Sequence, residues 1–350
     1  MFQDSVIECI TIICKSYLHR SELTNTEIEL INKVDADQLY RCALRHKLEA
    51  LCYKVFEPYE NKIEEALFNR FRSAAIKVTD NNFLMFKEAI TVANVLKSKS
   101  VSVFQFKGVQ FANLFFKDLS HRRSTDIDFA VQMSDLVRCA EEMKALGYSE
   151  VKGDNELKDI KKSRAYYLDY PWEKSEGDRN IQIEFHLAPA HKALYIPHDF
   201  DSYLANSNVR TLSLVDHALF VFIHHGPVDL WGYLMQLIDL DRIINVLDDA
   251  QISDLIKRID GLGLQKFLDL GIMLLDRLFN IDHKKYLSSI DTPGILQDIQ
   301  QEIITGKLAC NWSENYKKLW YHIKLRRSFL DQLRSVHTLG RYGVFKKFNL

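Results

Sequence analysis

Two aspartates separated by one residue, Asp126 and Asp128, open an apolar segment of this 350-residue chain. Side chains two residues apart on a β-strand project from the same face, so both carboxylates can reach one divalent cation. Phosphoryl and nucleotidyl transfer use such carboxylates to hold Mg²⁺. Spacing alone is weak evidence for such a site, because Asp-x-Asp pairs also occur elsewhere in the chain. These other pairs are Asp35/Asp37, Asp199/Asp201 and Asp239/Asp241.

Cationic residues near Asp126 and Asp128 distinguish this pair from the others. Arg122 and Arg123 precede it, and guanidinium groups are well suited to binding phosphate oxygens. Lys107 and Gly108 end the preceding apolar segment and open a helix, where glycine allows close backbone approach and helix amides can bind an anion. The surroundings therefore favour a site for a phosphorylated ligand.

A third acidic residue lies in the alternating segment 181–187. The alternation places Gln182, Glu184 and His186 on one face of a strand and the apolar side chains on the other. Glu184 and His186 are therefore candidates for the same polar site. The alternative is an ordinary strand edge that faces solvent.

The elements that must position these residues belong to a helix-rich chain. Glycine and proline together number only 19 of 350 residues, and no glycine precedes Gly108. We predict an α+β fold with an N-terminal helical region (1–98), a small mixed sheet core (99–205) and a C-terminal helical domain (206–350). The N-terminal region is predicted to end in a long helix over Asn82–Lys97. The predicted strands are Val101–Phe106, Asp126–Val131, Tyr148–Lys152, Ala165–Tyr170 and Asn180–Leu187.

The order of these motifs resembles the uncharacterised bacterial nucleotidyltransferase family of the DNA-polymerase-beta-like superfamily. The first matching strings are Lys107-Gly108 and Arg122-x-x-x-Asp126-Ile-Asp128, and the next is Ile183-Glu184-Phe-His186. A later helix, from Trp231 to Asp239, is similar to the W-x-x-L-x-x-l-x-D helix of the family. The resemblance covers roughly residues 80–245 and is far more specific than any one motif.

The resemblance implies transfer of a nucleoside monophosphate from an NTP, with ATP as the default, to an acceptor. Asp126, Asp128 and Glu184 would hold Mg²⁺ or Mn²⁺ and carry catalysis. The acceptor stays open between a protein, a peptide, RNA and a small molecule. The alternative is a catalytically weak nucleotide-binding or interaction module of the same fold. The residues implied to bind substrate are Lys107, Gly108, Arg122, Arg123 and His186.

Two further histidines, His224 and His225, follow the predicted sheet on a helical segment, and Asp239 lies on the next one. A histidine or glutamate at i+4, which would complete a tetrahedral zinc site, is missing from this segment. We therefore expect core histidines with satisfied hydrogen bonds, while the resemblance leaves open that one of them faces the cleft.

Charge and cysteine content limit the partners and the cellular compartment that the sequence is compatible with. The formal net charge is −1, but residues 311–350 alone carry nine lysines and arginines against two acids. Aromatic residues interleave with the basic residues of 317–347. Such a segment can contact nucleic acid or an anionic membrane surface, or form an amphipathic helix whose charges are solvated. The six cysteines form no C-x-x-C pair, and no apolar run reaches the length of a membrane span. These features predict a cytoplasmic protein without a transmembrane segment.

Overall fold

The sheet of this protein has five strands and lies between helical segments in the sequence. The computed structural model describes residues 3–151, 169–177, 179–190, 194–196, 200–204, 212–288, 293–305 and 316–348. The strands are β1 (Val103–Gln105), β2 (Ile127–Val131), β3 (Ser149–Glu150), β4 (Asp169–Glu176) and β5 (Arg179–His186).

Helices precede, interrupt and follow the sheet. Those before it are α1 (Asp4–His19), α2 (Asn25–Lys33), α3 (Ala36–Arg45), α4 (Glu49–Phe56) and α5 (Glu65–Ser98). Those between the strands are α6 (Gly108–Phe111), which continues into a π-helical turn (Ala112–Phe116), and α7 (Leu136–Ala145). Those after it are α8 (Asp201–Leu204), α9 (Leu214–Ile223), a second π-helical turn (His224–Val228), α10 (Leu234–Val246), α11 (Asp249–Gly261), α12 (Gln265–Phe279), α13 (Pro293–Thr305), α14 (Tyr316–Lys324) and α15 (Phe329–Phe348).

The strand order is β1-β2-β5-β4-β3. β2 and β5 pair in parallel, whereas the other neighbours are antiparallel. The predicted helix-rich α+β class with a small mixed sheet is therefore confirmed. The parallel pair matters for function, because it joins the Asp128 strand directly to the Glu184 strand.

β2 is enclosed within the protein, since its five residues are all buried. Ile127 and Phe129 pack with β5 and with α5 and α7 on one face of the sheet. On the opposite face, Ala130 packs against Phe200 and Phe220 from the segments that follow the sheet. A strand held on both faces has a fixed register, so the polar side chains that it carries are fixed as well.

The helices before and after the sheet share one hydrophobic core. This core includes Ile13 of α1 and Phe56 of α4 together with Leu237 of α10 and Phe279 of α12. The predicted boundaries at residues 98 and 205 stay predictions, but the two helical regions pack on each other directly. In the part of the chain that the structure describes, no helix is both long and apolar enough to cross a membrane.

The bounds of the other predicted strands shift by one or two residues, and two elements differ more from their predicted bounds. The helix expected over Asn82–Lys97 is longer than predicted and spans Glu65–Ser98. Asn82 is fully buried in its interior and does not cap it. The strand expected at Ala165–Tyr170 is β4, which continues to Glu176; residues 165–168 lie outside the described part. The strand continues through Pro171, although proline is ordinarily excluded from the interior of a strand. The next residue, Trp172, is buried in the core.

Candidate active site

Strand register brings two of the three predicted carboxylates together. Asp128 of β2 lies directly beside Glu184 in the parallel pair with β5, so their side chains share one face of the sheet. One donor atom from each of Asp128, Glu184 and His186 lies within 4.8 Å of the others. The convergence expected of Asp128 and Glu184 is present, and His186 lies between them.

Asp128 is the most enclosed member of this group, with a side chain only 2% exposed. Its Oδ1 lies 2.9 Å from the Lys107 Nζ and 2.8 Å from the His186 Nε2. Burial alone would raise the pKa of Asp128, but Lys107 and His186 outweigh it and hold that pKa well below its ordinary value. Asp128 is therefore ionised throughout the physiological range.

His186 contacts both carboxylates, since its Nε2 also lies 3.3 Å from the Glu184 Oε2. Burial and the nearby Lys107 lower the pKa of His186, but its bonds to Asp128 and Glu184 prevail and raise it to about 9. The Glu184 Oε1 also accepts a hydrogen bond of 2.9 Å from Gln182. At neutral pH, His186 is thus a cation that holds Asp128 and Glu184 side by side.

Asp126 is in a different environment from Asp128. It immediately precedes β2, is half-buried and lines a cleft together with Asp128, Lys107 and Gly108. Burial first and the charge of Asp128 second raise the pKa of Asp126 to about 6. Among the described residues, the Asp126 carboxylate has no cationic side chain within 4.0 Å, so a bound cation would offset part of its charge.

Gly108 lets the chain pass closely behind these carboxylates. Its φ is +56°, and a Cβ at this position would lie 2.8 Å from the backbone oxygen of Asp126. Residues other than glycine pay for positive φ, and here a side chain would also collide with backbone that cannot rotate away. The predicted role of Gly108 in close backbone approach therefore has a steric basis.

Replacing Gly108 by alanine is expected to lower the free energy of unfolding by about 2–4 kcal/mol, from the positive φ and the collision together. Gly177 is a matched control, because its φ is +61° and, apart from its chain neighbours, no atom of the described residues lies within 4 Å of the position that a Cβ would take there. Gly177→Ala should cost only the conformational part, about 1–2 kcal/mol. Urea denaturation measures both, and equal losses would show that the collision with Asp126 is relieved at no cost.

Arg122 lines the cleft, but its guanidinium is held by an aspartate from a C-terminal helix. The Arg122 Nε donates to both carboxylate oxygens of Asp239 in α10, at 2.9 and 3.0 Å. The Asp239 side chain is fully buried, and its Oδ2 also bonds to the His225 Nε2 at 2.8 Å. Burial would raise the pKa of Asp239, but Arg122 and His225 lower it overall.

Arg123 also has a carboxylate partner. Its Nη1 lies 3.0 Å from the Oε1 of Glu49 in α4, whose side chain is 2% exposed. Burial raises the pKa of Glu49 and the guanidinium opposes part of that shift. The two predicted arginines are therefore fixed at the cleft by residues from opposite ends of the chain.

Lys47 is a cleft residue that the sequence analysis missed. It joins α3 to α4 with a φ of +61° and lines the same cleft as Lys107, Arg122 and Arg123. Burial first and Arg122 second lower the pKa of Lys47. Among the described residues, Lys47 has no carboxylate within 4.0 Å, and its Nζ lies 5.0 Å from the centre of the Tyr233 ring. In the sequence, Lys47 is marked only by its place as a basic residue in the short connection between two helical segments. Its left-handed backbone conformation is visible only in the structure.

Asn82 is a second missed residue, and it positions the loop that carries Arg122. Its Nδ2 donates to the backbone oxygens of Leu119 and Arg122 at 2.6 and 2.7 Å. Its Oδ1 accepts from the backbone nitrogen of Ser124 at 3.2 Å. One buried amide on α5 thus satisfies three backbone groups of the loop that precedes β2.

Removing this amide is expected to destabilise the protein and loosen the loop. Asn82→Ala leaves three buried backbone groups without their partner and should lower the free energy of unfolding by about 2–4 kcal/mol. Asn94 lies exposed on the same helix, so Asn94→Ala should change stability by no more than about 0.5 kcal/mol. The test is urea denaturation of both variants, and an Asn82→Ala variant as stable as the Asn94→Ala variant would contradict this role.

Two of the other Asp-x-Asp pairs, Asp35/Asp37 and Asp239/Asp241, have local partners in the structure. Asp35 accepts from the backbone nitrogen of Gln38 and caps α3, while Asp37 pairs with Arg70. Asp241 lies 2.9 Å from the Nε2 of His283, away from the cleft partners of Asp239. Asp199 lies outside the described residues.

The basic C-terminal segment is only partly described, because the side chains of 316–318 and 341–348 lie outside the described set. Arg326 is buried and bonds to the backbone oxygen of Leu194. Arg327 and Arg334 lie 3.2 and 3.5 Å from Asp260 and Asp331. These three residues take part in internal contacts, and nucleic-acid binding by 317–347 stays a prediction.

Comparison with known proteins agrees with the motifs. Residues 32–280 match the family described as uncharacterised nucleotidyltransferase, and the protein belongs to this family. The match includes the sheet, Lys47 of the N-terminal region and Asp239 of α10. Membership indicates a transferase that uses a nucleotide substrate. No curated protein and no solved structure matches the chain.

Proposed function

We propose that the protein transfers a nucleoside monophosphate from an NTP, with ATP as the default, to an acceptor at the cleft beside β2. One observation carries the proposal: Asp128 and Glu184 lie side by side on parallel strands, and Asp126 lines the cleft next to Asp128. Four basic side chains line that cleft as well, so it offers both signs of charge that a metal–triphosphate complex requires. These four are Lys47, Lys107, Arg122 and Arg123.

The carboxylates fit Mg²⁺ or Mn²⁺ as ligands. Asp126, Asp128 and Glu184 offer hard oxygen donors, and burial first and the charge of Asp128 second raise the pKa of Asp126, so a cation bound there would favour its ionised form. When bound there, the metal would neutralise phosphate charge and activate the attacking oxygen of the acceptor. The protein supplies the fixed donors, because buried strands hold them in position before substrate arrives.

The basic residues would orient the triphosphate. Arg122 and Arg123 are held by Asp239 and Glu49, so their free N–H groups can donate to phosphate oxygens without large side-chain rearrangement. Lys47 has no carboxylate partner of its own among the described residues, which leaves its charge available to the substrate. His186 would act as a positioning residue that keeps Asp128 and Glu184 at one spacing.

One observation favours the alternative of a nucleotide-binding module with weak turnover. Lys107 and His186 both bond to the Asp128 Oδ1, so the protein's own cations already neutralise the central carboxylate. A metal at Asp128 must share or displace these partners. In such a module, Mg-NTP would bind through the basic residues and no group would be transferred.

The label position in the NTP separates these functions. Purified protein is incubated with Mg²⁺, a cell extract and ATP labelled either at the α- or at the γ-phosphate. If the protein transfers a nucleotidyl group, the acceptor is labelled only from the α-phosphate. This labelling is lost when EDTA removes the metal. Label from the γ-position would indicate a kinase instead. Nucleotide binding without transfer of either label to any acceptor would support the binding module.

Charge removal at Lys47 should weaken nucleotide binding. Lys47→Met keeps an unbranched apolar stem over Tyr233 but loses one charge-assisted contact, so affinity for Mg-ATP should fall about ten- to a hundredfold. Lys33, which is exposed on α2, provides the control, and Lys33→Met should bind as the unaltered protein does. Calorimetric titration measures the affinities. Unchanged affinity in Lys47→Met would remove this residue from the nucleotide site.

A further inference from the structure

The second π-helical turn gathers two histidines and an aspartate on the wall of the cleft. One donor atom from each of His224, His225 and Asp229 lies within 4.8 Å of the others. The His224 Nδ1 is 3.2 Å from the Asp229 Oδ2. All three residues line the cleft that also contains Asp126 and Asp128.

The π-helical turn determines which histidine lies beside Asp229. The backbone nitrogen of Asp229 bonds to the backbone oxygen of His224, five residues back, at 3.0 Å. In an α-helix, residues four apart share a face, which would place Asp229 beside His225. In the wider turn, the acid at i+5 lies next to the histidine at i, so the set is His-His-x-x-x-Asp.

His225 is arranged as metal-bound histidines are. Its Nε2 bonds to the Asp239 Oδ2 at 2.8 Å, and Arg122 holds that carboxylate in turn. The His225 Nδ1 is buried and has no hydrogen-bond partner among the described residues. A carboxylate that bonds one ring nitrogen fixes the imidazole tautomer and leaves the other nitrogen as a lone-pair donor. A buried donor atom of this kind costs free energy unless something binds it.

We propose that His224, His225 and Asp229 form a binding site for a divalent transition-metal ion of the zinc class, separate from the carboxylate site of Asp128. Imidazole nitrogens with one carboxylate suit zinc-like ions and not Mg²⁺, which prefers an all-oxygen set. Three protein ligands leave a fourth position for water or a substrate oxygen, as in catalytic zinc sites. This site would place a second kind of metal on the cleft wall.

The distances allow such a site after a closure of the three side chains. Donors about 2.1 Å from one tetrahedral ion lie about 3.4 Å apart, so donor atoms up to 4.8 Å apart must approach by as much as about 1.4 Å. His224 is the adaptable member, since its side chain is 33% exposed. The Gln236 Nε2 bonds to the Asp229 Oδ2 at 2.6 Å and keeps the carboxylate at the cleft.

Zinc binding to the full-length protein tests the site without any assay of transfer. Protein stripped with a chelator is titrated with Zn²⁺ alone, and bound metal is counted by elemental analysis after desalting. We expect one equivalent of Zn²⁺ bound per protein chain. The affinity for Zn²⁺ should fall at least about tenfold in His224→Gln and in Asp229→Asn. Co²⁺ in place of Zn²⁺ should give visible absorption bands that the same variants lose.

Two controls make the result specific. His283 bonds to Asp241 outside the cleft, so His283→Gln should still bind one equivalent of Zn²⁺. Asp128→Asn should keep it as well, and this control separates the site from the second His-carboxylate group at His186. Absence of zinc binding, or binding lost in Asp128→Asn but retained in both cluster variants, would overturn the proposal. Neither result depends on whether the protein transfers nucleotides.

Discussion

An Asp128→Asn variant is expected to transfer nucleotide at least about a thousandfold more slowly than the unaltered protein, a loss of about 4 kcal/mol of transition-state stabilisation. Asparagine keeps the shape of the side chain but removes the charge that faces Lys107 and His186. Two cations would then remain without their shared partner in a buried site, and the proposed metal would lose its central ligand. The measurement is the rate of label transfer from the α-phosphate of ATP.

Asp241→Asn is the control for this experiment. Asp241 is also a buried aspartate bonded to a histidine, but it lies away from Asp126 and Asp128. Its replacement should destabilise the fold to a comparable degree and leave the transfer rate of the folded protein within about twofold. Urea denaturation of both variants establishes the folded fraction. Equal losses of activity in the two variants would indicate a general effect of burial rather than a role for Asp128 in transfer.

The largest effect on stability is expected at Trp231. Its side chain is 1% exposed, and its Nε1 donates to the backbone oxygen of Phe267 at 2.9 Å. A Cβ on Gly271 would lie 2.8 Å from its indole ring, so the contact between Trp231 and α12 is already as close as glycine permits. Trp231→Ala should lower the free energy of unfolding by about 3–5 kcal/mol, through lost burial and the cavity left behind.

Trp320 provides the comparison for Trp231, since it is 48% exposed on α14. Trp320→Ala should lower the free energy of unfolding by no more than about 1 kcal/mol. Because the centre of the Trp231 ring lies 6.4 Å from that of His225, the buried variant should also weaken zinc binding. Chemical denaturation of the two variants, followed by circular dichroism, measures the difference. Similar losses would mean that the core refills the space left by Trp231.

The sequence predicted which side chains share a face but not which strands are neighbours. Alternation placed Glu184 and His186 together, and the Asp-x-Asp spacing did the same for Asp126 and Asp128. The parallel pairing of β2 with β5 joins residues more than fifty positions apart, and local periodicity carries no record of such pairing. The family resemblance supplied that link, because it implied that Asp126, Asp128 and Glu184 together hold the metal.

Residues that act through tertiary contacts were missed for the same reason. Asn82 reads as a helix boundary in sequence, yet it lies inside α5 because its amide bonds to a loop about forty residues away. Lys47 reaches the cleft only because α3 and α4 pack beside α10. Propensity and patterning describe an element in isolation, whereas these positions depend on the partner that each element finds.

The shared core of the N- and C-terminal helices has a consequence for any attempt to isolate a minimal catalytic fragment. The backbone nitrogen of Leu234, at the start of α10, donates to the Nδ1 of His46, and α1 contacts α12 across the same core. A fragment that begins at residue 99 would expose this interface and would lose Lys47 and Glu49 from the cleft. Excision at the sheet boundary would therefore yield an insoluble or molten polypeptide, and the smallest fragment that keeps the cleft includes the first helices.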